Sequence, residues 1–348
     1  MSDLKLTDRE RDVLMAVIES YVRTARPTGS RVVARDYGLE VSPATVRNTM
    51  ADLEAKGLLT QPHPSAGRLP TDLAYRFYVD ALMARRAVTP GEREKIRKEL
   101  QSGEIGAIED LVGRAARVLS LLTGELGLAV GPALAAAALQ RVEFVPVDSE
   151  KALLVLTLES GVVRTVYVDL PTELPPASLS AVARALNERL AGSTLAEIQA
   201  TLSERLRDLP LEDPAARELA NIFVGSGPDI FEWVVDGRDV HLGSASALAE
   251  QPEFTSGERL RSLIQLTERR ELLASVLGER LAAAEPQVTI GAEHRTPQLS
   301  ELTIVTAAYS VGALHGVVGV IGPTRMAYDK VVSLVDTTSS LVSSLARR

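Results

Sequence analysis

The chain contains no cysteine. Disulfides, thiolate metal sites and a cysteine nucleophile are therefore excluded, and the composition suits a reducing compartment. Long apolar runs are lacking as well. The longest, over residues 126–139, is too short and too rich in Gly and Ala to span a bilayer. The opening residues, MSDLKLTDRERDVL, have none of the apolar core of a signal peptide. The expectation is a soluble cytoplasmic protein with no membrane partner. Signatures of catalysis are missing too. There is no Gly-Lys-Ser/Thr phosphate loop and no dinucleotide fingerprint, and the glycines of residues 317–322 read as tight strands and a turn. His63, His241, His294 and His315 show no metal spacing, so no metal and no other cofactor is expected. Carboxylate pairs such as Glu109-Asp110 and Glu212-Asp213 lie in polar stretches, and no Ser/His/Asp set stands out. The sequence predicts a protein that is not an enzyme.

What is present is ample core and uneven charge. Of 348 residues, 45% are apolar, enough for the two or three domains that this length implies. The net charge of −8 argues against nucleic acid until its distribution is considered. Residues 1–90 carry 13 Lys and Arg against 11 Asp and Glu, so the acidic excess lies wholly beyond them. Between Tyr21 and Arg76 there are eight basic residues against five acidic ones. A local basic surplus is what attachment to phosphates requires.

That surplus surrounds residues 42–71, SPATVRNTMADLEAKGLLTQPHPSAGRLPT. Ser42 is a favourable N-cap and Pro43 suits the first helical position, so a helix should start sharply there. Val46, Met50 and Leu53 recur at spacings of four and three and define an apolar face. Ala44, Thr45, Arg47, Asn48 and Ala51 fall on the other side. Gly57 should stop the helix, residues 58–60 look like a short strand, and Pro62, Pro64 and Gly67 force a tight excursion carrying His63, Ser65 and Arg68. Upstream, Thr7 and Glu10 form a capping box for a helix over 7–25, with Val13, Leu14, Val17, Ile18, Tyr21 and Val22 as its apolar stripe. Residues 26–29 break it, and a short helix over 30–37 leads through a turn into Ser42. Helix, short helix, turn, helix, strand and hairpin is the order of a winged helix-turn-helix, whose third helix enters the major groove. A small helical dimerisation module is the plainer alternative.

Arg47 then suits a guanine edge and Asn48 an adenine edge, with Thr45 beside them. Ser42 and the first amides of the helix are placed for a phosphate. His63, Ser65 and Arg68 would hold the wing on backbone or minor groove, and Ser30 and Arg31 would meet phosphates at the start of the second helix.

Downstream, helices are expected over 72–82, 92–100 and 108–122. Residues 139–147, 151–160 and 162–170 are rich in β-branched side chains and read as successive antiparallel strands. Helices follow over 178–190, 194–206 and 214–223, then one long helical pattern over 256–284. The sheet is expected to resume with strands over 287–291, 302–309 and 316–322, and a terminal helix to start at Thr324.

Several of these residues carry a family likeness. Pro27-Thr28-Gly29-Ser30, Ser42-Pro43-Ala44-Thr45-Val46-Arg47-Asn48, Leu53-Glu54, Gly57-Leu58-Leu59, the run from Pro62 through Arg68-Leu69-Pro70-Thr71, and Tyr75-Arg76 with Tyr78-Val79-Asp80 resemble the heat-inducible transcription repressor HrcA family. Ile290-Gly291-Ala292-Glu293-His294, Tyr309 and the stretch from Gly319 to Tyr328 extend the resemblance to the other end. The chain departs from it at Ala74 and His294, where that family usually has Gly and often Asn. The resemblance implies an α+β multidomain fold: an N-terminal winged helix-turn-helix, a GAF-like α/β domain with an antiparallel sheet, and a mostly helical inserted dimerisation domain. On that basis the winged helix-turn-helix domain is expected over 1–90, a linker over 91–105, the first part of the GAF-like domain over 106–170, the inserted dimerising domain over 171–250, and the second part of the GAF-like domain over 251–348. It further implies a homodimer that represses chaperone operons at an inverted-repeat operator in double-stranded DNA, with its activity supported by the chaperonin. A sensor or scaffold whose N-terminal module binds protein is the competing reading.

Overall fold

The computed structural model describes residues 5–102, 108–170, 174–231, 240–281 and 283–346. The end of the expected linker (103–105), the expected start of the GAF-like domain (106–107) and the expected start of the inserted domain (171–173) lie outside them. The first domain follows its local signals. Helix α1 (Asp8–Thr24) is closed by the capping box, in which Glu10 N donates to Thr7 Oγ1 and Thr7 N donates to Glu10 Oε2. Helices α2 (Ser30–Asp36) and α3 (Pro43–Ala55) pack on it, and Val13, Leu14, Val17, Ile18, Val33, Val46, Met50 and Leu53 are buried together. Each such side chain contributes about 1.5–3 kcal/mol by leaving water. Strands β1 (Leu59–Thr60) and β2 (Leu69–Pro70) pair antiparallel at the base of the wing. Helix α4 (Asp72–Phe77) continues as a wider π turn over Tyr78–Leu82, with Ala74 buried. Lys56 bonds Glu10 at 2.6 Å and, with the Thr7 amide, holds that carboxyl below its usual range.

Helix α5 (Pro90–Gln101) is charged and buries only Ile96 and Leu100, packing on α6 (Ile108–Thr123) and the C-terminal helix Tyr328–Leu345. The remaining strands form two sheets rather than one that resumes late in the chain. Strands β4 (Leu139–Pro146), β5 (Lys151–Leu158) and β6 (Val163–Asp169) make a three-stranded meander of their own. Its edge strand is held by Asn187, whose side-chain amide exchanges two hydrogen bonds of 2.8 Å with the backbone of Val142. Helices α7 (Pro176–Leu190), α8 (Leu195–Arg205) and α9 (Pro214–Gly225) follow, and α7 packs on β4, while Phe144 meets Phe223 edge to face.

The second sheet has the order β7-β3-β10-β9-β8 and is antiparallel throughout. Its members are β3 (Leu126–Val130), β7 (Val240–Leu242), β8 (Gln287–Ile290), β9 (Leu302–Val311) and β10 (Leu314–Pro323). Strand β3 is the apolar stretch that shows no alternation in sequence, because both of its faces are covered. The late strands therefore add to β3, with Val317 opposite Val130 and Ile321 opposite Leu126, and leave the meander separate. Helix α6 and the C-terminal helix cover one face. Helices Gly257–Glu268 and Arg270–Gly278 cover the other with Leu263, Leu266, Leu273 and Leu277.

Two expected helix limits change. The single helix over 256–284 is bent at Arg269 (φ −85°, ψ 62°), which lets both halves keep their leucines on the sheet and brings Arg270 to the carbonyl of Val240 at the edge. The terminal helix starts at Tyr328 rather than Thr324, since residues 324–327 form a turn in which Thr324 O accepts from the Tyr328 hydroxyl.

Candidate nucleic-acid interface

Helix α3 presents the two faces its sequence spacing predicts. Ser42 Oγ accepts from Thr45 N at 3.1 Å, and Pro43 occupies the first turn. Val46, Met50 and Leu53 point inward, joined by Thr49, which spacing did not single out and which donates to the carbonyl of Thr45. Arg47, Asn48, Ala44 and Ala51 are exposed on the opposite side. The side chains of Arg47 and Asn48 have no hydrogen bond or ion pair to other described residues, so their donors and acceptors are available. Thr45 is half-buried, and its hydroxyl lies 3.0 Å from that of Ser42, so the two side chains share the cap.

The wing is more firmly built than its composition suggests. Gln61 Nε2 donates to the carbonyls of Pro64 and Ala66, folding the loop back on itself. Arg68 and Thr28 exchange two backbone hydrogen bonds of 2.9 Å, so the wing is stitched to the turn between α1 and α2. A Cβ on Gly67 would lie 2.4 Å from the carbonyl carbon of Thr28, which explains why glycine precedes Arg68. The Arg68 side chain is only 16% exposed and forms an ion pair with Glu54 of α3 at 2.8 Å. It ties wing to helix. His63 and Ser65 stand exposed at the tip. At α2, Arg31 is exposed, whereas Ser30 is buried and leaves only its place at the helix start. The structure thus brings Ser42, Thr45, Arg47 and Asn48 to one helix end, leaves His63 and Ser65 exposed at the wing tip, and turns Arg68 inward. Thr28, Glu54 and Gln61 complete the frame, and the one sequence sign of them was the glycine at position 67.

A second surface stands out. On the outward face of the meander, Val145, Leu153 and Tyr167 lie side by side across the three strands, with Val155 and Val163 beyond. Tyr167 is 69% exposed and Val147 53%. Among the described residues no cluster of His, Asp or Glu is arranged to hold a metal, and no helix is long and apolar enough to cross a membrane.

Two family models match this chain. One, for the winged helix-turn-helix DNA-binding region of the transcription repressor HrcA, covers residues 5–81; the other, for the C-terminal domain of the HrcA protein, covers 109–332. A heat-inducible transcription repressor HrcA of Symbiobacterium thermophilum is 38% identical over 348 residues, 98% of this chain and 99% of the relative. That of Geobacter sulfurreducens is 37% identical over 98% of both chains. A crystal structure described as a hypothetical protein shares the fold, with a TM-score of 0.69 at 23% identity and coverage of 98% of this chain and 99% of that one.

Proposed function

Because this chain belongs to the HrcA family of heat-inducible transcription repressors, with a winged-helix DNA-binding domain, we propose that it represses chaperone operons as a homodimer bound to an inverted-repeat operator in double-stranded DNA. The observation that carries this reading is the free outer face of α3, where the Arg47 and Asn48 side chains stand unpaired on a helix to which Arg68 ties the wing. Arg47 reads a guanine edge and Asn48 an adenine edge in the major groove. Ser42, with Thr45, offers the helix start to a phosphate, as do Arg31 and the α2 start at Ser30. His63 and Ser65 touch backbone or minor groove, and Arg68 acts through Glu54 by holding the wing against the reading helix.

Two copies fit an inverted repeat when their recognition helices are about 34 Å apart or a multiple of that. The bare face of the meander is the natural seat for the second copy, since Val145, Leu153 and Tyr167 otherwise meet water. In this reading the five-stranded sheet and its helices form the GAF-like domain. The separate hydrogen bonding of β4, β5 and β6, and their packing with α7 and α9, favour an inserted dimerising unit that begins with the meander rather than at residue 171. The chaperonin supports the active form. That step predicts a larger DNA-bound fraction when chaperonin is added, and an unchanged fraction would remove it.

The direct test is binding of the purified protein to an inverted-repeat duplex. Arg47→Ala should weaken it by about 1–3 kcal/mol and relax the preference at one base pair of each half-site. Unaltered affinity and selectivity would remove Arg47 from the reading surface.

A further inference from the structure

The winged-helix domain meets the rest of the chain through a few charged contacts around one aromatic pair. On α4, Arg76 donates through Nε and Nη2 to the two carboxylate oxygens of Glu293 at 2.7 and 2.6 Å, and through Nη2 to the carbonyl of Val288 at 2.6 Å. Four residues earlier, Asp72 accepts from the amide of Ala292 at 2.9 Å. Both residues therefore grip the short turn Gly291–Glu293 that follows edge strand β8. From the far side Arg325, in the turn after β10, donates to the carbonyl of Val22 in α1 at 2.8 Å and to both oxygens of Glu253 at 2.5 and 2.9 Å. Between these two grips the buried rings of Tyr75 and Tyr328 lie 5.5 Å apart.

Part of the seam is left open. A cavity of about 810 Å³ is walled by Tyr21 and Asp72 on the winged-helix side and by Phe254, Leu302, Thr324 and Arg325 on the other. Interlocked side chains are what usually hold one packing arrangement in place. Here that interlock is interrupted; at one end of the gap the bidentate Arg76–Glu293 pair, which fixes direction as well as distance, crosses the seam, and at the other the Arg325–Val22 hydrogen bond crosses it, with Arg325 itself held by Glu253. Rotation about the Tyr75–Tyr328 contact would have to break the Arg76–Glu293 pair or the Arg325–Val22 hydrogen bond.

We propose that Arg76 and Arg325 are positioning residues for operator reading. Neither lies on the DNA-reading face; together they set the direction in which α3 is presented, and hence the spacing of two recognition helices in a dimer. The inference rests on the repressor reading above, and it separates two quantities that a contact residue would move together. A half-site needs only an intact winged helix, whereas an inverted repeat also needs the correct mutual placement.

The test compares full-length wild type, Arg76→Glu, Glu293→Arg and the doubly exchanged protein on an inverted-repeat duplex and on a half-site duplex. Each single exchange should lower inverted-repeat affinity at least tenfold and leave half-site affinity within twofold, and the double exchange should recover most of the loss. Equal losses on both duplexes, a gain or no change on the inverted repeat, or no recovery in the double exchange would overturn the proposal. A measurement without DNA keeps it separate from the repressor reading. Since the chain has no cysteine, Asp52→Cys with Ser344→Cys gives a single spin-label pair across the seam. Its distance distribution should broaden with Arg76→Glu and narrow again in the double exchange, and an unchanged distribution overturns the positioning role. If wild type fails to bind the inverted repeat, the repressor reading fails, and the distance measurement alone decides this one.

Discussion

The two larger sheets of this chain are built from similar residues and end in different states. In the five-stranded sheet nearly every residue of β9 and β10 is buried, because helices cover both faces. In the meander, β5 alternates strictly: Ala152, Leu154, Leu156 and Leu158 are buried on the side facing the helices, while Leu153 and Val155 are left half-covered on the other. Apolar burial is thus complete within one copy for the first sheet and unfinished for the second. If the proposed second copy covers the valine- and tyrosine-bearing face, folding and association are assigned to different sheets. The first sheet should answer to stability measurements, and the second to concentration.

The sharpest way to break that contrast is Gly127→Val in β3. A Cβ there would lie 1.9 Å from the carbonyl oxygen of Ala116 and 2.9 Å from the amide of Ser120, both backbone atoms of α6. Ser120 Oγ also accepts the Gly127 amide at 2.7 Å, so helix and strand are bonded where they touch. The substitution has to lift α6 off the sheet, at a cost of about 3 kcal/mol or more. A urea unfolding series should show this as a lower midpoint at every protein concentration. An unshifted midpoint would mean that α6 is not seated on β3, and the closed sheet would lose its status.

The open face predicts the opposite signature. Val145 and Tyr167 flank Leu153 across the meander, and replacing both with Glu places two charges where the proposed second copy would sit. Val145→Glu combined with Tyr167→Glu should raise the dimer dissociation constant at least tenfold, about 1.4 kcal/mol, with secondary structure and the dilute-solution melting midpoint little changed. Sedimentation over a concentration series measures it. A dimer that persists unchanged would move the interface elsewhere and leave the bare face unexplained by self-association.

What could be read in advance follows the same division between local and distant causes. The starts of α1 and α3 were legible because Thr7 with Glu10, and Ser42 with Pro43, act within one helical turn. The outward placement of Arg47 and Asn48 followed from the spacing of Val46, Met50 and Leu53 alone. Strand β3 was not legible as strand, since burial on both faces removes alternation, and β7, of three residues, is too short to show a period. Without these two, the late strands have no visible partner in sequence other than the meander, whereas in the structure they add to β3. The inward turn of Arg68 depends on Glu54 and Thr28, residues 14 and 40 positions away, and no local pattern reports such a pairing. The bend at Arg269 has neither Gly nor Pro to announce it.

The smallest predicted effect concerns what the closed sheet excludes from water. Glu125, immediately before β3, is buried, and burial pushes its carboxyl up to about 8, against smaller opposing pulls from the Gln251 hydrogen bond and from Arg325. In the unfolded chain the same group titrates near about 4.3. Below that value both states carry the proton and the residue costs nothing. Between the two values the folded protein keeps a proton that the unfolded chain has released, so stability falls as pH rises, and the full penalty is present above about 8. Glu125→Gln has no charge to bury and should flatten this fall by roughly 1 kcal/mol per pH unit. Urea unfolding of both proteins at pH 6 and pH 7 measures the difference in slope. Parallel slopes would mean that water reaches Glu125 in the folded state, and the contrast between a sealed sheet and an open one would then fail at its sealed end.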